Sequence, residues 1–112
     1  MSVAVDVQLL RVASSLALSR AALAELLGAS ESTVSRWMRG NPVSRQASIQ
    51  RLHELYAVSE ALAKVMKPEA AARWLRQSNP LLGGDTPLSR VATGNYADVL
   101  GLVRALGEGI VV

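Results

Sequence analysis

Hydroxyl and guanidinium side chains are concentrated between residues 30 and 45 of this 112-residue chain. Such groups bind phosphate oxygens and base edges, and an arginine paired with guanine is the commonest specific contact in the major groove of DNA. Glu31 lies in the same stretch and would repel phosphate. The sequence predicts a DNA-binding surface formed by Ser30, Ser32, Thr33, Ser35, Arg36, Arg39 and Arg45.

Charge is distributed unevenly along the chain. The whole sequence has 12 Lys plus Arg against 9 Asp plus Glu, which is a small basic excess. Between residues 30 and 51, however, four arginines face a single acidic residue, whereas the charges balance after residue 68. Because a local basic patch sets the field that a polyanion meets, this distribution favours a nucleic-acid partner for the first half of the chain.

A helix-turn-helix is the element that would position these side chains. In residues 19–40, Ser19 can cap a helix, Gly28 can form the left-handed turn, and Ser30 can cap the helix that carries the polar face. The predicted buried positions of the pair are Leu23, Ala24, Leu27, Val34 and Trp37. The alternative interpretation is an ordinary α-hairpin whose polar face is merely solvated.

The remaining apolar spacing predicts an all-α protein. With no Phe and only four aromatic residues, the core must be built from Leu, Val and Ala, a mixture that favours packed helices. The long fourth helix carries apolar residues on two faces, so we expect it to lie between two packed groups. Helices are predicted over residues 7–17, 20–27, 30–38, 45–66, 68–77, 87–93 and 96–106. We divide the chain into a helix-turn-helix domain, residues 1–66, and a small helical domain, residues 67–112.

Composition argues against an enzyme. The chain has no Cys, which excludes disulfides and thiolate metal sites, and its single histidine, His53, is read as a surface or packed residue. It also has no glycine-rich phosphate loop and no nucleophile elbow. We therefore predict no catalytic residue, no metal and no cofactor.

No stretch of the sequence resembles a membrane or targeting segment. Residues 1–6 contain no basic leader, and no apolar run approaches the roughly 20 residues that a spanning helix needs. The absence of Cys also fits a reducing compartment. We expect a soluble, unprocessed, cytoplasmic protein that does not bind membranes.

The second half combines several turn and aromatic signals in a fixed order. Trp74 is followed by Asn79-Pro80, a Gly-Gly pair, Thr86-Pro87-Leu88, and then Asn95-Tyr96 at the start of the last helix. Taken alone, most of these residues are explained as helix caps and turn formers, and Asn95 is predicted to cap the last helix. In combination they resemble the carboxy-terminal domain of the Xre/MbcA/ParS antitoxins, which follows a Cro/repressor-like helix-turn-helix in the same chain order.

That resemblance implies both a partner and a mechanism. The partner would be a RES-domain toxin that degrades NAD, bound within a complex in which the antitoxin forms a homodimer. The antitoxin would bind promoter DNA through its helix-turn-helix and block the active-site cleft of the toxin with its last helix and tail. The residues assigned to toxin binding are Tyr96, Arg104, Gly107, Glu108, Gly109, Ile110, Val111 and Val112.

The sequence alone leaves two questions open: what buries the apolar tail, and whether the protein is an antitoxin or a transcriptional regulator. An apolar end after Gly107 and Gly109 either folds back on its own core or is buried by another chain, and the resemblance favours the second. The main alternative function is a stand-alone transcriptional regulator whose carboxy-terminal domain serves only dimerisation. A RES-type reading frame beside the gene would favour the antitoxin over this regulator.

Overall fold

The computed structural model describes residues 4–43 and 45–109, and within these ranges helices are the only regular secondary structure. The helices are α1 Val5–Ser15, α2 Arg20–Leu27, α3 Glu31–Met38, α4 Gln46–Ala63, α5 Pro68–Arg76, α6 Pro87–Ala92 and α7 Tyr96–Gly107. A single 3₁₀ turn, Pro80–Leu82, lies between α5 and α6. The all-α prediction is confirmed.

Local capping explains where several helices begin. Ser19, Ser30 and Thr86 each accept a hydrogen bond from the backbone N–H three residues later, and so cap α2, α3 and α6. Gly28 ends α2 with φ 68°, in the left-handed conformation that glycine adopts without strain. Asn95 stands before α7, but its side chain makes no capping bond, so the prediction of a side-chain cap there was wrong. Its amide instead donates to the Thr93 hydroxyl, at 3.3 Å.

Two helices, α1 and α4, differ from the prediction by two residues or more at an end. Helix α1 begins at Val5, two residues early, with the Asp6 carboxylate accepting from the Val7 N–H in the first turn at 3.0 Å. It ends at Ser15 because Ala17 turns the chain, with φ 51°. Helix α4 ends at Ala63, and the next three residues form a turn before the extended residue that precedes Pro68.

One hydrophobic core runs through both halves of the chain, and α4 is its common wall. The side chains of Leu52, Leu55, Val58 and Leu62 are at most 1% exposed. They belong to a single cluster with buried residues of all the other α-helices, and α4 contacts α1 and α2 of the first half as well as α5, α6 and α7 of the second. The expectation that α4 lies between two packed groups is confirmed.

Arginine side chains hold the ends of several helices. Arg45, Arg51, Arg76 and Arg90 each donate to a main-chain carbonyl at or near the end of another helix or turn. Arg45 donates to the Gly28 carbonyl, Arg51 to the Val91 carbonyl and Arg90 to the Leu82 carbonyl. Arg76 donates to the carbonyls of both Leu16 and Ala17. Such carbonyls have no partner within their own helix, and they carry the negative end of its dipole. These contacts tie elements that are distant in sequence.

Candidate functional site

Helix α3 presents most of the predicted DNA-binding residues to solvent. Its side chains Ser32 and Arg36 are exposed, as are Ser30 directly before it, Arg39 directly after it and Arg45 directly before α4. Val34 and Trp37 point the other way, into the core, where they are 0% and 6% exposed. The structure therefore places these predicted residues on or next to the exposed, polar face of α3, whose opposite face is buried.

The hydroxyl groups at the start of α3 are already engaged with one another. Ser30 Oγ accepts from the Thr33 N–H at 3.1 Å, and it lies 2.7 Å from Thr33 Oγ1 and 3.1 Å from Ser32 Oγ. Arg36 donates to Thr33 Oγ1 at 3.2 Å. This chain of bonds orients the Arg36 guanidinium across the first turns of the helix.

Ser35 has a different position from its neighbours. It is half-buried, accepts from Arg20 Nη1 at 2.9 Å, and donates to the Glu31 carbonyl at 2.9 Å. The first bond joins α2 to α3, so Ser35 helps to fix the angle between the two helices.

A polar groove of about 600 Å³ runs beside the turn between α2 and α3. Two of the predicted cations, Arg36 and Arg45, line it, and Arg45 also donates to the Gly28 carbonyl. Asn41, which the sequence analysis did not select, lines the same groove. Arg39 does not line it, and its side chain makes no hydrogen bond with any described residue. Asn41 follows α3 just before Pro42, so only the folded geometry reveals it.

The residues assigned to toxin binding fall into separate groups. Arg104, Gly107, Glu108 and Gly109 lie together, exposed, at the carboxy-terminal end of α7. Tyr96 begins the same helix and is half-buried, eight positions from Arg104 and so about 12 Å away along the axis. The structure does not bring Tyr96 to the end of α7. Ile110, Val111 and Val112 lie outside the described residues.

Arg90, on α6, makes hydrogen bonds to residues before α6 and to a residue of α7. It donates to Asp85 at 2.9 Å, to Asp98 on α7 at 3.0 Å, and to the Leu82 carbonyl at 2.9 Å. The hydrogen bond with Asp85 is the main reason that the pKa of Arg90 lies above its ordinary value; partial desolvation lowers it, and the charges of Asp85 and Asp98 raise it further. Arg90 thus connects the 3₁₀ turn, α6 and α7.

The described residues also bear on the sites that the composition argued against. Within residues 4–43 and 45–109, no three His, Asp or Glu side chains are grouped so that they could hold a metal ion. His53 is exposed, and its Nδ1 lies 3.0 Å from Gln8 Oε1, which fits the interpretation as a packed surface residue. None of the helices in these ranges has the length and apolar character needed to cross a bilayer.

Comparison with known proteins assigns a family to both halves. A helix-turn-helix family model matches residues 4–66, and the model of the antitoxin Xre/MbcA/ParS C-terminal toxin-binding domain matches residues 60–106. The mycobacterial cidal antitoxins MbcA of Mycobacterium tuberculosis and Mycobacterium bovis are 38% identical to this chain over 88 residues, which is 79% of this chain and 78% of theirs.

A solved structure matches the whole fold. It is a crystal structure of the M. tuberculosis MbcT–MbcA toxin–antitoxin complex, one chain of which superposes with a TM-score of 0.86. The match covers 99% of this chain and 100% of that one, at 32% identity. The resemblance drawn from the motifs is confirmed: this chain belongs to the Xre/MbcA/ParS family of antitoxins.

Proposed function

We propose that this protein neutralises a toxin by binding it. The supporting observation is the match over 99% of the chain to a structure of the MbcT–MbcA toxin–antitoxin complex. The match to a toxin-binding domain over residues 60–106 points to the carboxy-terminal helices as the surface used. We propose that the toxin bound is a RES-domain protein that degrades NAD.

The proposed mechanism is steric occlusion. The end of α7 presents Arg104, Gly107 and Glu108 to solvent, and the apolar residues 110–112 follow in the sequence. Covering this apolar segment with a partner is favourable, because its burial removes apolar surface from water. We propose that α7 and the tail enter the toxin cleft and exclude NAD, with no chemical step on the antitoxin side.

Co-expression with the neighbouring reading frame tests this function. Full-length protein is compared with a chain that ends at Leu106, and cell growth and NAD content are measured. We expect the full-length chain to restore NAD and the truncated chain to fail. Arg11→Ala, an exposed change on α1 outside residues 60–106, is the control and should behave as the full-length chain. If neither growth nor NAD responds to either chain, the stand-alone regulator becomes the better assignment.

We further propose that α3 binds promoter DNA and that a homodimer presents two copies of α3 about 34 Å apart, one turn of DNA. The observation behind this is the exposed arginine and hydroxyl face of α3 within a helix-turn-helix match. If each subunit contacts three or four phosphates, affinity should fall with salt with a log–log slope of about −5 to −7. Fluorescence anisotropy with a promoter fragment measures this slope, and a salt-independent complex would contradict it. Sedimentation velocity checks the dimer, and a monomer at micromolar concentration would disprove it.

A further inference from the structure

A second groove, of about 480 Å³, separates α4 from α7 and was not part of the sequence prediction. Its apolar lining consists of Ala57, Ala61, Val65, Leu100 and Val103. Three charged and exposed side chains also line it: Glu60, Lys64 and Arg104. The groove therefore combines an apolar floor with a charged rim, which is the composition typical of a protein-binding surface.

The groove is continuous with the end of α7. Gly107 lines it, and a Cβ placed on this glycine would lie 3.2 Å from Cγ1 of Val65, which follows α4 and also lines the groove. The last turn of α7 therefore packs directly against the residues that follow α4. A partner that contacts Arg104 and Gly107 meets the groove without any gap.

The charges on the rim are available to a partner. Glu60, Lys64 and Arg104 form no ion pair with any described residue, since the ion pairs found there involve Arg51 and Arg90 instead. The rim carries two cations against one carboxylate, so its net charge is positive. Such a rim complements an acidic side chain and disfavours a basic one.

The family match adds an independent indication. The toxin-binding domain matched by this chain begins at residue 60, inside α4, and so includes Glu60 and Ala61 of α4 and Lys64 directly after it. We propose that the α4–α7 groove docks an apolar segment of the toxin that carries an acidic side chain, which contacts Lys64 and Arg104. The inference rests on the proposed function and extends the toxin-binding surface from the end of α7 onto α4.

Opposite charge changes on α4 test this docking. Lys64→Glu and Glu60→Lys alter two exposed positions that are one helical turn apart, and neither belongs to the core. The toxin obtained by co-expression of the adjacent reading frame is the probe, and its affinity for each full-length variant is measured by biolayer interferometry. Circular dichroism and thermal unfolding verify that each variant folds. Arg11→Glu on α1, which is exposed and lies outside both the groove and residues 60–106, serves as the charge-matched control.

The expected results have opposite signs. Lys64→Glu should weaken toxin binding about tenfold, Glu60→Lys should strengthen it about threefold, and Arg11→Glu should leave it unchanged. Equal affinities for the two α4 variants and the parent chain, combined with loss of binding on truncation at Leu106, would restrict the contact to α7 and the tail and overturn the inference. If Lys64→Glu alters the sedimentation coefficient of the chain alone but not toxin affinity, a second copy occupies the groove and the inference is wrong. A parent chain that fails to bind the toxin at all overturns the proposed function as well.

Discussion

The arginines on and directly after α3 differ from the arginine of α6 in how many of their N–H donors are used within the protein. Arg36 makes one bond, at 3.2 Å to Thr33, and Arg39 makes none with a described residue, whereas Arg90 donates to two carboxylates and a carbonyl. A guanidinium has five N–H donors, and those spent inside the molecule cannot serve a ligand. The comparison shows that the number of arginines in a segment says less about binding than the number whose donors remain available.

The helix-turn-helix region, which contains α3, and the carboxy-terminal region, which contains α6, share one hydrophobic core. Leu62 on α4 is 0% exposed, and we expect Leu62→Ala to lower the free energy of unfolding by about 3 kcal/mol. The loss should affect both regions equally, because α4 packs against both sides. Urea unfolding of two single-tryptophan versions, which retain Trp37 in α3 or Trp74 in α5, measures each region separately. Two different midpoints would mean that the regions unfold independently.

Removing a free arginine should affect DNA binding without affecting the fold. We expect Arg36→Ala or Arg39→Ala to cost about 1 to 3 kcal/mol of promoter-binding free energy if the guanidinium reads a base, and to relax sequence preference at that position. Anisotropy titrations at constant salt measure the loss. Arg73→Ala provides the exposed control.

Arg90→Ala is the complementary change for the same comparison. It should lower the melting temperature, because three elements lose their common donor, and should leave the DNA affinity of the folded protein unaltered. A direct loss of DNA affinity in folded Arg90→Ala would remove the distinction between the two kinds of arginine.

The helix starts of the second region allow a finer test. Thr86 caps α6, whereas Asn95 makes no capping bond before α7. We expect Thr86→Ala to destabilise the protein by about 1 kcal/mol. The matched change Asn95→Ala should cost less than about 0.5 kcal/mol. Chemical denaturation of both variants decides the point, and equal losses would show that the cap is not the source of the effect.

The smallest expected effect concerns the turn between α1 and α2. Ala17 has φ 51°, a conformation that costs an L-residue with a side chain roughly 1 to 2 kcal/mol. Ala17→Gly removes this strain but gives the unfolded chain more freedom, so a net stabilisation of about 0.5 kcal/mol is expected. Thermal unfolding measures it. A destabilised variant would indicate that the methyl group makes contacts worth more than the strain.

The features that the sequence predicted depend on short separations along the chain. The caps at Ser19, Ser30 and Thr86 join residues three positions apart, and the helix-turn-helix follows from the spacing around Gly28. Helical periodicity likewise placed α4 between two packed groups. For these features the neighbouring residues contain all the necessary information.

The features that the sequence did not predict depend on long separations. The bond from Arg51 to the Val91 carbonyl spans 40 positions, and the bond from Arg76 to the Leu16 carbonyl spans 60. Nothing near Asn41 indicates that it would line a groove with Arg45. Periodicity predicted the helices α4 and α7, but it could not show that a groove remains between them after packing. Such relations exist only once the helices are assembled.

The position of α4 in the middle of one core also bears on how long the protein survives in a cell. Proteases act on opened chains, and a chain whose halves share a core opens as one cooperative unit. A single degradation event would therefore remove the proposed promoter-binding and toxin-binding surfaces at the same moment. Under the proposed function, release of the toxin and renewed transcription of its operon would then follow the same half-life.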